Sequence, residues 1–80
     1  MSLADIRVHR RARLKRRITV AITHLRPEYA TARWIAQLIC LGVRTVRTLL
    51  TEMEREGVLE HRHLPTPDGA DDVYTFRKAA

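Results

Sequence analysis

The chain has 80 residues with 15 basic and 9 acidic side chains, a net charge of +6 and a single cysteine, Cys40. A chain of this size forms one small domain, because it buries only about 60% of the surface that its unfolded form exposes. One cysteine excludes an internal disulfide, and no stretch approaches the roughly 20 consecutive apolar residues of a membrane-spanning helix. We therefore expect a cytoplasmic protein without a membrane partner.

The basic residues are concentrated at the N-terminus. Residues 1–17 hold seven basic side chains and one acid, whereas basic and acidic side chains are equal in number in the rest of the chain. Such a block predicts a polyanionic partner, chiefly nucleic acid or an anionic membrane. The residues to which we assign phosphate contacts are Arg7, Arg10, Arg11, Arg13, Lys15, Arg16, Arg17 and, further along the chain, Arg62. If about four to six phosphates are neutralised, log affinity should fall with log salt at a slope of roughly −4 to −5.

Helical periodicity first appears after this block and predicts a helix that ends near Pro27. Its apolar face consists of Leu14, Ile18, Ala21, Ile22 and Leu25. Extended backwards, the same face would include the arginines of residues 7–11, which could not be buried unpaired. Residues 1–11 must therefore leave the core, as a disordered arm or as an exposed helical extension. Ser2 and Asp5 favour the extension, because they have the spacing of a capping box.

Two further helices are predicted in the middle of the chain. Thr31 is a suitable N-cap for a helix from Ala32 to about Ile39, whose predicted apolar face is Ile35, Ala36, Leu38 and Ile39. A turn over residues 40–42 follows. The third helix runs from about Val43 to Glu56 and stops at Gly57, and its predicted core face is Val46, Leu49, Leu50 and Met53.

After Gly57 the hydrophobic period changes from 3.6 to 2, which predicts strands over residues 58–64 and 72–77. The turn formers of residues 65–71 predict the loop between them. The fold class is therefore mainly α with a small β-hairpin, an α+β arrangement. We expect residues 1–11 to form the basic extension or arm, residues 12–77 the folded domain and residues 78–80 a tail.

The spacing within residues 31–51 resembles that of helix-turn-helix DNA-binding proteins. Ala36 matches the small residue that lets the two helices approach closely, and the apolar frame is matched by Ile35, Ile39, Leu41, Val46 and Leu49. Residues 50–59 resemble the end of the recognition helix and the start of the wing in winged-helix regulators of the MarR and GntR groups. The resemblance spans about residues 14–77 and implies a three-helix winged helix-turn-helix fold.

The chain departs from this pattern in two places. Cys40 occupies the turn position where the motif usually has glycine, so either Cys40 adopts a left-handed backbone conformation or the turn is rearranged around Gly42. Asp68, Asp71 and Asp72 replace the basic residues that many wings direct at DNA. We therefore do not expect this wing to enter the minor groove.

The resemblance implies a double-stranded DNA-binding transcription regulator of bacterial or phage type, a repressor that acts as a homodimer. The residues it places toward the major groove are Gly42, Val43, Arg44, Arg47, Thr48 and Thr51. Arginine can donate two hydrogen bonds to guanine, and a good base contact is worth roughly 1 to 3 kcal/mol of discrimination. For the dimer surface we expect the start of the first helix and the region around Trp34.

Two other functions fit the same resemblance, namely a winged helix that binds a protein and one that binds RNA. An enzyme is not expected. The four histidines lack metal-ligand spacing, Ser2 is the only serine, and no glycine-rich phosphate loop is present. We predict neither catalytic residues, nor a metal, nor a cofactor.

Overall fold

The computed structural model describes residues 2–78, in which three helices precede an antiparallel hairpin. The elements are α1 (Leu3–His24), a short 3₁₀ turn (Pro27–Tyr29), α2 (Ala32–Ile39), α3 (Val43–Arg55), β1 (Leu59–Thr66) and β2 (Gly69–Phe76). This arrangement confirms the predicted α+β class with three helices and a wing-like hairpin. Beyond Lys78, the predicted tail lies outside the described residues, as does Met1.

Helix α1 starts within the basic segment and extends well beyond the core. The side chain of Ser2 accepts a hydrogen bond from the Asp5 amide, and the Asp5 carboxylate accepts one from the Ser2 amide, so the capping box is formed. The basic segment therefore continues the helix, the second of the two predicted alternatives. Its 22 residues span about 33 Å. Residues 3–13 are exposed, and α1 first reaches the core at Leu14.

The core lies where the three helices meet the hairpin. Its largest fully buried side chains are Ile18, Ile35, Val46, Leu50, Leu59 and Val73. Ala36 is also buried, as the predicted small contact between α2 and α3 requires. The prediction that Leu38 belongs to the core is wrong, because 53% of its surface is exposed. The eight residues of α2 present Ile35 and Ile39 to the core, and Leu38 lies on the neighbouring side of the helix.

The connections at both ends of α3 have defined backbone geometry. Cys40 adopts the predicted left-handed conformation, with φ 57° and ψ 45°. Gly42 has an extended backbone and forms the N-cap of α3. At the other end, Gly57 has φ 81°, its amide donates to the Glu54 carbonyl, and the Val58 amide donates to the Met53 carbonyl. These two bonds form a Schellman motif, which ends the helix.

The hairpin is longer than predicted. Its register runs from Leu59 opposite Phe76 to Thr66 opposite Gly69, so only Pro67 and Asp68 connect the strands. The predicted loop over residues 65–71 is therefore wrong. Gly69, with φ 118°, accommodates the tight reversal. Pro65 (opposite Ala70) is tolerated because, among residues 2–78, β1 pairs with β2 alone.

Candidate nucleic-acid interface

The first part of the candidate interface is the outward face of α3. Arg44, Arg47, Thr48 and Thr51 are exposed and follow one another at the i, i+3, i+4 and i+7 spacing of a single helix face. Within residues 2–78, neither arginine has a carboxylate oxygen within 4.0 Å. Both guanidinium groups are thus available for an external acceptor. Val43 is half-buried against the core, so it contributes less to this face than the sequence predicts.

The threonines of this face have little donor capacity left. The Thr48 hydroxyl donates to the Arg44 carbonyl at 3.0 Å, and the Thr51 hydroxyl donates to the Arg47 carbonyl at 2.9 Å. Each hydroxyl uses its single proton on the preceding helical turn. Toward a base edge, these residues can therefore offer an acceptor oxygen or a methyl group.

The start of α3 offers backbone donors. Gly42 at the N-cap is exposed and has no side chain to accept hydrogen bonds from the first-turn amides. Amides at the start of a helix carry partial positive charge and commonly donate to phosphate oxygens. The predicted role of Gly42 thus concerns the backbone of the first turn rather than a side chain.

A groove between α1 and α3 joins this face to the basic segment. Its volume is about 590 Å³, and it is lined by Arg7, Arg10, Arg11 and Leu14 from α1 and by Arg44, Thr45, Thr48 and Leu49 from α3. The structure thus brings three predicted phosphate contacts beside two predicted base contacts. Thr45 was not among the predicted residues. Its position directly after Arg44, on the side of α3 that faces α1, depends on how the two helices cross.

The acidic residues at the end of α3 are paired inside the fold. The ammonium group of Lys15 lies 2.8 Å from a carboxylate oxygen of Glu52 and 3.0 Å from one of Glu56, and the Arg11 guanidinium lies 3.6 Å from Glu52. The hydrogen bond between Lys15 and Glu52 raises the pKa of Lys15 and lowers that of Glu52. Only 19% of the Lys15 side chain is exposed. The charge of Lys15 is therefore paired with Glu52 and Glu56 rather than presented to solvent.

His61 hydrogen-bonds to a third carboxylate of α3. Its imidazole Nδ1 hydrogen-bonds to Glu54, which raises the pKa of His61 above its usual value. The ring is also tilted against Tyr74, with 5.9 Å between the ring centroids. These contacts tie β1 and β2 to α3, and the negative charge of Glu54 faces the hairpin.

The other predicted phosphate residues lie elsewhere. Arg13, Arg16 and Arg17 line a separate groove between α1 and α2, and Arg17 donates a hydrogen bond to the Ile39 carbonyl. Arg62 lies on β1, with its guanidinium 3.7 Å from Glu60. Arg10, Arg13 and Arg16 also line a common concave surface along α1. The predicted phosphate contacts are thus distributed over adjoining surfaces of α1 and over β1.

The tip of the hairpin is attached to α2. The Trp34 indole N–H donates to the Asp68 carboxylate at 3.0 Å, and the Arg33 guanidinium lies 3.9 Å from the same group. Trp34 is half-buried and packs edge-on against Tyr29, with 5.3 Å between the ring centroids. Trp34, which we predicted at a dimer contact, therefore has partners within its own chain.

No three His, Cys, Asp or Glu side chains among residues 2–78 are close enough together to hold a metal ion. In the same range, no helix has both the length and the apolar character needed to cross a bilayer. Comparisons with protein-family models, with curated proteins and with solved structures found no match to this chain.

Proposed function

We propose that this chain is a winged helix-turn-helix protein that binds double-stranded DNA and regulates transcription, acting as a repressor by occupying its site. The observation that carries the proposal is the groove between α1 and α3. Arg7 and Arg10 of one helix lie there beside Arg44 and Thr48 of the other. One DNA duplex could contact both helices at once.

Charge distribution supports this arrangement. Arg44 and Arg47 of α3, and Arg7 and Arg10 of α1, are exposed, whereas Glu52, Glu54 and Glu56 at the end of α3 pair with Lys15, Arg11 and His61. The surface that would approach DNA is therefore cationic, and Glu52 and Glu56 are paired with Lys15 within the fold. This polarity favours insertion of α3 into the major groove by its N-terminal end.

The two helices would have different tasks in such a complex. Arg44 and Arg47 would donate to base edges, most favourably to guanine, and would supply sequence discrimination. Arg7 and Arg10 would contact phosphates beside the groove and fix the position of α3 without reading sequence. Because one recognition helix reads only a few base pairs, we further propose that two copies bind a symmetric site.

Fluorescence anisotropy tests the proposal directly. The full chain would be titrated into a labelled random duplex, a matched single strand and a matched RNA at two salt concentrations. We expect preference for the duplex and a steep loss of affinity as salt rises, because phosphate neutralisation releases counterions. Preferred binding to RNA, or no binding to any nucleic acid at low salt, would overturn the proposal.

A further inference from the structure

Another groove lies between α1 and α2 and differs in character from the groove between α1 and α3. It has a volume of about 520 Å³ and is open to solvent. Its apolar residues are Val20 and Ala21 of α1 and Leu38 and Ile39 of α2. Val20 and Leu38 are 52% and 53% exposed. Exposed apolar surface in a groove between helices is typical of a protein interaction site.

The rim of this groove is basic. Arg13 and Arg16 lie along it, and no acidic side chain of the described residues lines the groove. Within the same part of the chain, neither arginine has a carboxylate oxygen within 4.0 Å. Arg17 differs from them, because its guanidinium donates a hydrogen bond to the Ile39 carbonyl and so connects α1 to α2. The groove thus combines an apolar floor with two unpaired positive charges.

We propose that this groove binds an acidic amphipathic helix of a partner protein. The lining residues of α1 run from Arg13 to His24 at helical spacing, a length of about 16 Å or three helical turns. A helix laid along them would bury apolar residues at i, i+3 or i+4 and i+7 against Val20 and Leu38. Aspartate or glutamate beside that stripe would face Arg13 and Arg16.

The same features disfavour DNA and a second copy of this chain as occupants of the groove. DNA phosphates would satisfy the arginines but would leave Val20 and Leu38 without apolar contacts. A second copy related by a two-fold axis would bring only basic and apolar side chains of this groove against one another, without any carboxylate to pair with them. The inference does not depend on DNA binding, because none of its residues lines the groove between α1 and α3.

A displayed peptide library tests the proposal without assuming a partner sequence. The peptides would be helical and about 14 residues long, with one face randomised among Leu, Ala, Gln, Glu and Lys. Selection on the immobilised full chain should enrich a leucine stripe flanked by glutamate. No enrichment, or enrichment of lysine beside the leucines, would overturn the proposal.

Matched variants then locate the binding surface. Leu38→Gln should weaken binding of an enriched, fluorescein-labelled peptide roughly tenfold. Leu64→Gln, at a comparably exposed leucine of β1, should leave it unchanged. Both variants should keep the circular dichroism spectrum and the duplex affinity of the parent chain. Equal peptide affinities of the two variants would overturn the proposal, as would a dimer of the parent chain that Leu38→Gln converts to monomer in light scattering.

Discussion

Helix α1 borders one groove with α3 and another with α2, and each groove contains three arginines of the basic segment. The two grooves differ in the residues that lie opposite α1. Toward α3, Arg7, Arg10 and Arg11 face Arg44, Thr45 and Thr48. Toward α2, Arg13, Arg16 and Arg17 adjoin Leu38 and Ile39. A helix rotates its side chains by about 100° per residue, so a block of charge that is continuous in sequence is divided between its faces. Net charge therefore does not identify one surface.

The largest effect is expected when two arginines are removed from one side of α1. Arg7→Ala with Arg10→Ala should lower duplex affinity roughly 50-fold at about 0.1 M salt and make the salt slope shallower by about 2, because each lost phosphate contact keeps about one counterion on the DNA. Arg13→Ala with Arg16→Ala should cause a much smaller loss. Fluorescence anisotropy over a salt series measures both effects.

The two double variants have equal net charge and alter the same helix, so each controls for the other. Equal losses of affinity and equal slopes would mean that the basic segment acts as undirected charge, and the proposed division between two surfaces would be wrong. A greater loss for the Arg13 and Arg16 pair would place DNA on the α2 side.

The next variant separates base contacts on the outward face of α3 from phosphate contacts on α1. Arg47→Ala should lower affinity for a selected duplex roughly 10-fold more than affinity for random duplex, because a guanidinium on a base edge contributes only at its own sequence. Arg7→Ala is the control and should weaken both duplexes alike. If Arg47→Ala also weakened both alike, Arg47 would be a phosphate contact.

Most of the fold follows from the sequence because local signals and the apolar pattern agree. Thr31 begins α2, Gly57 ends α3, and the predicted core residues of α3 are buried. The left-handed backbone at Cys40 was one of two predicted alternatives, and it is the one that keeps the spacing of the motif. Leu38 was placed wrongly because the apolar pattern of a short helix does not reveal which side a neighbouring helix covers.

The candidate site was less predictable, because its arrangement depends on contacts between distant parts of the chain. Periodicity identified the face of α3 that bears Arg44 and Arg47. The ion pairs of Lys15 with Glu52 and Glu56 join residues 37 and 41 positions apart. From its charge alone, Lys15 received the same predicted phosphate role as the arginines beside it. The predicted strands were too short for a related reason, since turn-forming residues at 65–71 do not reveal where strand pairing ends.

Because Glu52 is paired with Lys15 and Arg11, its removal should increase DNA affinity. Glu52→Gln removes a carboxylate that holds Lys15 and Arg11, so the α3 side of α1 should gain up to one phosphate contact and bind random duplex up to roughly 8-fold more tightly at about 0.1 M salt. Glu28→Gln, in the 3₁₀ turn, removes the same charge elsewhere and is the control. Equal gains for the two variants would indicate a general charge effect. A loss of affinity for Glu52→Gln would mean that the pair supports α1 in its binding position.

The smallest expected effect concerns His61, which joins the hairpin to α3. Its pKa is raised, chiefly by the hydrogen bond to Glu54, and Asp72 and Tyr74 of β2 also face it. Protonated His61 therefore stabilises the folded state below its usual pKa of about 6.5, and this contribution is lost as pH rises through the raised value. The thermal midpoint of the parent chain should exceed that of His61→Gln most at pH 6 and least at pH 8. His9→Gln, on the exposed part of α1, should follow the parent chain. The difference will be small because solvent screens an exposed pair, and a difference that grew with pH would show that His61 stabilises the hairpin in its neutral form.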